Sequence, residues 1–506
     1  MASQHSASAE PESWQDKVAR KRWSRQNDIP TAWALPESVL DSLPALCDFP
    51  STRLNLIAKD VPWLSGILTE REIEITESHT VTSLLEGLAS GTFTSVEVTL
   101  AFSKRAAIAQ QLTNCLTETF FEQAEKRARY LDDLRSKGGP LGPLHGLPVS
   151  LKDTYQVEGT QACIGAVALL GRTSTENSAM VDLLLDLGRS WSVRIPSLCC
   201  GTYGFKPSSR RLPYGWQVMP LNVGIGAIVP SAGALANDVT ALQIFMQAVV
   251  DAKPFAYDAT AIDMPWRRTN GPPRPKKLRL GLLPEDPLFP LQPPVQETIK
   301  SAVRILESNG HEVVRLDAAE CQVAAANQIG GRLLALDPTP ASIIASGNEP
   351  SVPSMAMFAE QAARIGWDFI PTEVDAMDGL GQFGALQNER VDIAESWRKI
   401  WAKHELDAVI APPAQSTAME HDQQGWPAYS MFLNMLDYPA CIIPFGKAKG
   451  NGTSLARGPC HGTPAYKPDV AEGAPCSIQV FTNGMRDEEC LAVAAVIDTC
   501  LKDASR

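Results

Sequence analysis

Two short segments constrain this chain more than any other part of its sequence. Residues 142–153 read Gly-Pro-Leu-His-Gly-Leu-Pro-Val-Ser-Leu-Lys-Asp, an apolar, strand-like run between turn formers that ends at Lys152. Residues 192–208 begin at Ser192 and continue into a short apolar stretch that ends in Gly and Pro. A serine needs a base to become a nucleophile, and a lysine taken out of water can be that base once its pKa falls. Because short motifs often occur by chance, the wider sequence has to decide whether the pair is catalytic.

Helical signals dominate the first part of the chain. Apolar spacing predicts helices near residues 83–91, 94–112, 120–131, 178–187, 237–250 and 295–306. Ser83 with Glu86 is one candidate capping box, and Thr94 with Glu97 is another. Gly91 is the stop signal of the first of these helices. These apolar stripes are interpreted as packing faces rather than binding sites.

Strand signals occur beside the last of these helices. Residues 278–283 and 312–316 have strand patterns and flank the helix at 295–306. Residues 148–151 are also interpreted as a strand, buried and leading to Lys152. Strand, helix, strand is the pattern of an α/β fold, so we expect that fold class. The polar residues 1–30 are expected to be a mobile leader, with Trp14 and Trp23 as candidate anchors.

Composition excludes several functional classes. The net charge of −12 offers no basic face for nucleic acid. No apolar run approaches the roughly 18 residues of a membrane span. Eleven cysteines, an odd number, without a secretory leader indicate reduced thiols and a cytoplasmic protein. Cys199 and Cys200 are adjacent and lack zinc-ligand spacing, so they are expected to be buried as small hydrophobes, and no metal is expected.

The two segments resemble those of the amidase signature family, and their flanks resemble its fungal acetamidase-like branch. Residues 142–153 match the segment of the family's catalytic lysine, and residues 192–196 with 200–208 match the segment of its nucleophile. The similarity continues through residues 233–236, 406–412, 434–440 and 474–480. This resemblance implies an α/β fold, a single large domain over residues 31–506 with a mixed sheet surrounded by helices. It also implies that Lys152 is the general base and Ser192 the acyl-ester nucleophile.

The chain departs from the family just before Ser192. The family carries a Gly/Ser-rich segment there, whose serine relays the proton between lysine and nucleophile, and this chain lacks it. The domain is therefore expected to be truncated internally near residues 188–191, which should expose apolar surface or an unpaired strand edge. Ser190 and Trp191 stand where the family has the Gly-Gly pair of its oxyanion site. Arg194 either orients this turn or makes a structural hydrogen bond.

The resemblance implies hydrolysis of a carboxamide to a carboxylate and ammonia or an amine, through a serine acyl-enzyme and without a cofactor. Because of the departure, the activity is expected to be impaired. Two alternatives stay open: a catalytically silent homologue, and an incomplete gene model or splice form of an active amidase. The expected partner is a small-molecule amide, and a homodimer is a candidate assembly. Neither nucleic acid nor a membrane is expected as a partner.

Overall fold

The computed structural model describes residues 12–43, 60–187, 194–267, 277–353, 356, 360, 370–449 and 463–504. The strands in these ranges are β1 (Tyr203–Lys206), β2 (Ala234–Ala236), β3 (Arg279–Leu282), β4 (Glu312–Arg315), β5 (Ala408–Ala411), β6 (Ala440–Lys447) and β7 (Pro475–Phe481). They form one seven-stranded sheet in the order β2-β1-β6-β7-β5-β3-β4. β3 is parallel to β4 and β5, whereas the other neighbouring pairs are antiparallel. The sheet is therefore mixed, as the resemblance implies.

Helices surround this sheet. In chain order they are α1 (Trp14–Asn27), α2 (Glu37–Asp41), α3 (Val61–Leu64), α4 (Glu70–Glu77), α5 (Val81–Ser90), α6 (Ser95–Thr113), α7 (Phe121–Ser136), α8 (Ala179–Leu187), α9 (Arg194–Cys200), α10 (Val239–Asp251), α11 (Pro293–Ser308), α12 (Ala318–Cys321), α13 (Val323–Ala335), α14 (Thr339–Ser346), α15 (Gly379–His404), α16 (Ala428–Leu436), α17 (Pro468–Ala471) and α18 (Asp487–Asp503). Each helix predicted from the apolar spacing is present, with ends shifted by a few residues.

The strand-helix-strand prediction is confirmed by β3, α11 and β4. α11 connects two neighbouring parallel strands, in which Leu280 pairs with Val313. Parallel neighbours need such a crossover, because a tight turn can join only antiparallel strands. The α/β fold class follows directly from this unit.

Side chains on the two faces of the sheet enter two separate cores. Along β5, Ala408 and Ile410 belong to the core beneath α8, α10, α11 and α18, whereas Val409 and Ala411 belong to the core beneath α13, α15 and α16. All four residues are buried. A strand covered on both faces is apolar throughout rather than alternating, which explains the continuous apolar run of the sequence here.

The capping predictions gave one confirmed and one wrong result. Thr94 and Glu97 form a complete capping box at the start of α6. At α5, however, the cap is Thr80, whose side chain accepts a hydrogen bond from the N–H of Ser83. The predicted Ser83 box is therefore wrong, because the helix begins one turn earlier and Ser83 lies inside it. Gly91 ends α5 in the left-handed conformation, with φ of 83°.

Part of the predicted leader is structured. α1 docks through basic side chains: Lys21 forms an ion pair with Glu118, and Arg25 donates a hydrogen bond to the carbonyl of Leu116 at 2.8 Å. Trp23 is 68% exposed, so its proposed role as an anchor is wrong. An ion pair and a hydrogen bond join this helix to Glu118 and Leu116, and Trp14 within it is half-buried. Residues 1–11 lie outside the described ranges.

The predicted strand at residues 148–151 is absent. Residues 147–149 are half-buried and Ser150 is exposed, and the described part of the sheet offers this segment no partner strand. A strand exists only as part of a ladder, and Pro148 lacks the N–H that a central strand would donate. An apolar run alone could not reveal that the neighbouring strand is missing.

Candidate active site

The lysine segment is fixed by a tight turn packed against α6. The N–H of His145 donates to the carbonyl of Gly142 at 3.1 Å, and the N–H of Leu147 donates to the carbonyl of Leu144 at 3.2 Å. Gly146 has a φ of +73°, and a Cβ there would lie 2.5 Å from the Oγ of Ser95. Both the dihedral angle and the close approach require glycine. The turn therefore sets the path of the chain toward Lys152.

A second turn holds the backbone of Lys152 itself. The N–H of Tyr155 donates to the carbonyl of Lys152 at 3.0 Å. The carboxylate of Asp153 accepts hydrogen bonds from the hydroxyl of Thr117 at 2.9 Å and from the thiol of Cys163 at 3.2 Å. Sequence reasoning assigned no role to Thr117 or Cys163, since neither belongs to a recognisable motif. Their bonds fix the residue that follows the lysine.

The environment of the Lys152 amine makes its ammonium easier to deprotonate. The Lys152 side chain is exposed, yet the protein beside it partly desolvates the amine and lowers the pKa of the ammonium from the ordinary value of 10.5. Within the described ranges its Nζ has neither a hydrogen bond nor an ion pair. No carboxylate of the described residues forms an ion pair with this amine that would stabilise its charged form. Such a lysine is suited to accept a proton.

The serine side of the candidate site lies partly outside the described ranges. Ser190, Trp191 and Ser192 fall there, so the expected separation of under about 8 Å between the Lys152 amine and the Ser192 hydroxyl, close enough for contact directly or through one water, stays a prediction. Arg194 is the first residue of α9, and its side chain also lies outside the description. The choice between its two roles stays open.

The helix that follows Ser192 packs against the central sheet. Ser197 and Leu198 of α9 are buried, and the helix packs against β1, β6 and β7. Gly201 ends it with a φ of +66°, where a Cβ would lie 3.1 Å from the ring of Pro475. The segment after the nucleophile position is thus held on the central sheet.

The adjacent cysteines are only partly buried. Cys199 is half-buried, and Cys200 is exposed and lines a cleft beside α9. The expectation of burial for both is therefore wrong, because Cys200 is at the open end of a short helix. No group of His, Cys, Asp and Glu side chains in the described ranges is arranged to hold a metal ion. Nor does any described helix have the length and apolarity needed to cross a membrane.

Asp437 ties the loop after β1 to the end of α16. Its carboxylate accepts hydrogen bonds from the N–H of Ser209 at 2.9 Å, from the Ser209 hydroxyl at 2.5 Å and from the ammonium of Lys206 at 3.2 Å. Asp437 itself has a φ of 53° at the C-cap of α16. Sequence reasoning placed it within a matching segment but gave it no role, since its partners are more than 200 residues away.

A buried charge cluster fixes the same loop to α18. Arg211 donates to Glu488 at 2.9 Å, and both side chains are 1% exposed. The carboxylate of Asp487 accepts the N–H of Ser208 at 2.7 Å, and burial raises its pKa. Burial also opposes ionisation of Glu488, but hydrogen bonds from Arg267 and the charge of Arg211 outweigh it and lower its pKa. These residues position the β1 loop from the far end of the chain.

Comparison with known proteins gives this geometry a context. A family model described as Amidase matches residues 97–191 and 190–491, so its two blocks meet at residues 190 and 191. An amidase from Gibberella moniliformis (strain M3125 / FGSC 7600) is 30% identical over 563 aligned residues, covering 97% of this chain and 99% of that protein. An acetamidase from Aspergillus oryzae (strain ATCC 42149 / RIB 40) is 28% identical, with 97% and 99% coverage.

Solved structures share the architecture. A fatty acid amide hydrolase superposes with a TM-score of 0.83 at 21% identity, covering 96% of this chain and 95% of that one. A bacterial aryl acylamidase of the amidase signature enzymes gives a TM-score of 0.57 at 15% identity, with 83% and 96% coverage. These similarities to solved structures show the fold. The family match and the 30% identical relative show the family. The chain belongs to the amidase signature family, in its fungal acetamidase-like branch.

Proposed function

We propose that this chain is a carboxamide hydrolase that acts through a serine acyl-enzyme. The observation that carries the proposal is the desolvated amine of Lys152, which has no partner among the described residues and a lowered pKa. Ser192 Oγ attacks the amide carbonyl carbon while its proton passes to the amine of Lys152. The C–N bond then breaks, and the lysine returns that proton to the leaving nitrogen. Water hydrolyses the acyl ester and frees Ser192.

The proposed activity is weaker than that of an intact relative. The match to the Gibberella amidase spans 563 aligned positions, whereas the chain has 506 residues, so at least 57 positions, the difference, hold no residue of this chain. The family match breaks at residues 190 and 191, directly before Ser192. This location supports the loss of the relay serine. One missing oxyanion donor alone can cost about 3–4 kcal/mol of transition-state stabilisation.

The substrate in this proposal is a small amide, as the names of the acetamidase relatives suggest. The proposed compartment is the cytoplasm, because the nine cysteines within the described ranges are all free thiols. A homodimer remains the proposed assembly. The proposals for the substrate and the assembly depend on the family assignment rather than on a contact within the site.

The test measures ammonia release from benzamide and acetamide by the purified chain, by Ser192→Ala and by Lys152→Ala. We expect turnover well below the range of about 1–1000 per second that is common for enzymes, and none in either variant. A fluorophosphonate probe should label Ser192 in the parent chain, which reports the nucleophile independently of turnover. Turnover within the ordinary range would contradict the impaired activity. Absence of both labelling and ammonia release would favour the catalytically silent homologue.

A further inference from the structure

The residue that follows the candidate base is an aspartate that does not pair with it. Asp153 is adjacent to Lys152, and a lysine side chain is long and flexible enough to reach a neighbouring carboxylate. An opposite charge within about 4–6 Å favours the charged form of a lysine, so such a pair would raise its pKa. Within the described ranges the Lys152 amine has no ion pair, and desolvation lowers its pKa. The contacts that hold the Asp153 carboxylate elsewhere therefore bear on the chemistry of the lysine.

Two donors engage the two oxygens of the Asp153 carboxylate. The hydroxyl of Thr117 donates to Oδ1 at 2.9 Å, and the thiol of Cys163 donates to Oδ2 at 3.2 Å. Cys163 is buried, and desolvation raises the pKa of its thiol above the ordinary value of 9.0, to which the charge of Asp153 also contributes. The thiol therefore keeps its proton at neutral pH and remains a donor. The carboxylate is thus directed toward Thr117 and Cys163.

The backbone just before Thr117 is fixed by two helices. The N–H of Leu116 donates to the side-chain oxygen of Gln110 in α6 at 2.6 Å. The carbonyl of Leu116 accepts a hydrogen bond from the guanidinium of Arg25 in α1 at 2.8 Å. Both polar groups of the preceding peptide unit are therefore bonded, and one of the two bonds comes from the N-terminal helix.

The residue just after Thr117 is fixed by the same N-terminal helix. Glu118 forms an ion pair with Lys21 of α1 and accepts the N–H of Gln161 at 3.2 Å. The side chains of Lys21 and Glu118 are only 14% and 22% exposed, so solvent screens this pair less than an open surface pair. Lys21 also lies near enough to Cys163 for its charge to act on the thiol. α1 thus connects the two segments that supply the donors to Asp153.

We propose that α1 and the segments of Thr117 and Cys163 form a positioning element for the candidate base, which holds the Asp153 carboxylate on two donors and prevents it from pairing with the Lys152 amine. An ammonium paired with a carboxylate releases its proton only at a higher pH, so the fraction of neutral amine at a given pH would fall. These residues act through Asp153, which makes them positioning rather than catalytic residues. The inference rests on the proposed function only in taking Lys152 as the proton acceptor.

The test measures the titration of Lys152 by acetylation of the purified full chain with acetic anhydride at a series of pH values, read by mass spectrometry. The Lys152 side chain is exposed, so the reagent reaches it in the folded protein. Thr117→Val removes one donor at nearly constant volume, and Cys163→Ala removes the other. We expect each to raise the labelling midpoint by about 0.5–1 pH unit, less than the roughly 1–3 of close pairs, because this lysine is exposed. Acetylation of Lys300, on α11, is the internal control and should not change.

Two sets of control variants separate the role of the carboxylate from a general loosening of the turn. Thr117→Ser and Cys163→Ser keep a hydroxyl donor, so both should retain the midpoint of the parent chain. Asp153→Asn combined with Thr117→Val removes the charge that would pair with the lysine, so it should restore that midpoint. A midpoint that stays raised in this double variant would overturn the inference, because solvent rather than Asp153 would then be the cause. Unchanged midpoints in Thr117→Val and Cys163→Ala would overturn it as well.

The contribution of α1 is measured in the same way. Lys21→Met combined with Arg25→Met removes the bonds of α1 to both neighbours of Thr117. The midpoint should rise by less than in Thr117→Val, since Gln110 and Gln161 still hold the loop. An unchanged midpoint would overturn the role of α1.

The folding of each variant is checked by urea unfolding, and if one donor variant does not fold, the other decides the outcome. Acetylation of Lys152 does not depend on turnover. Raised midpoints in a chain that releases no ammonia would therefore leave this inference standing and count against the proposed function alone. Ammonia release with unchanged midpoints would refute the inference and leave the proposed function standing.

Discussion

Replacing Arg211 by methionine should destabilise the protein strongly, although the residue lies outside the proposed chemistry. Its guanidinium bonds Glu488 at 2.9 Å, and both side chains are 1% exposed. Methionine keeps much of the volume and removes the charge. Glu488 would then lose one of its two guanidinium partners, and Asp487 would lose a nearby positive charge that favours its ionised form.

The expected magnitude follows from the burial of the pair. Removing one partner of a buried ion pair costs about 3–5 kcal/mol, since a charge is left uncompensated. Here Arg267 still bonds Glu488, through Nη2 at 2.6 Å and Nε at 3.2 Å. In addition, Nε and Nη1 of Arg211 have no described partner, so their loss breaks no bond there. We therefore expect Arg211→Met to lower the free energy of unfolding by an amount at the lower end of this range, about 3 kcal/mol.

Arg267→Met is the matched control because it shares the same acceptor. Arg267 is 47% exposed and pairs with Glu488 and Glu489. Solvent screens such a pair, and exposed ion pairs contribute about 0–1 kcal/mol. The two substitutions thus remove the same type of side chain from the same carboxylate and differ in burial. The difference between the two losses of unfolding free energy therefore isolates the effect of desolvation.

Urea unfolding followed by tryptophan fluorescence measures both variants at pH 7 and at lower pH. The pKa of Glu488 is lowered in the folded state, so its stabilising contribution is present above its ordinary value of 4.5 and is lost as the pH falls through the lowered value. The difference between the parent chain and Arg211→Met should therefore shrink in acid. The reasoning would be refuted if Arg211→Met lowered the free energy of unfolding no more than Arg267→Met does. It would also be refuted if the loss for Arg211→Met did not depend on pH.

Two further predictions concern the lysine segment and the first helices. Lys152→Met should stabilise the fold at pH 7, since desolvation lowers the pKa of this ammonium. The charged lysine destabilises the folded state at pH values below the lowered pKa, and this destabilisation vanishes above 10.5. The gain in the free energy of unfolding, measured with urea, should therefore shrink as the pH approaches 10.5. A gain that grows with pH would contradict this sign. Thr80→Ala should cost about 1 kcal/mol through loss of the N-cap of α5, whereas Ser83→Ala should cost less than about 0.5 kcal/mol. If thermal unfolding showed a larger stability loss for Ser83→Ala than for Thr80→Ala, the capping box predicted from the sequence would be supported instead.

Most helices, the β3-α11-β4 unit and the family could be predicted from the sequence alone. The capping box of Thr94 and Glu97 lies within one helical turn, and β3, α11 and β4 are consecutive in the chain. Such features depend on neighbouring residues, so a linear pattern contains them. The lysine segment could be recognised in the same way, because its residues are contiguous and its glycine and proline positions reflect one tight turn.

Which of these elements have partners became clear from the three-dimensional structure. The apolar run before Lys152 is not a strand because nothing in the described sheet pairs with it. Asp437 and Ser209 meet across 228 positions, and Arg211 and Glu488 across 277, so no local pattern could identify either contact. The lowered pKa of Lys152 likewise depends on the protein that is packed beside its side chain. Pairing, burial and desolvation are properties of the assembled fold, and for that reason the sequence could name the lysine but not its environment.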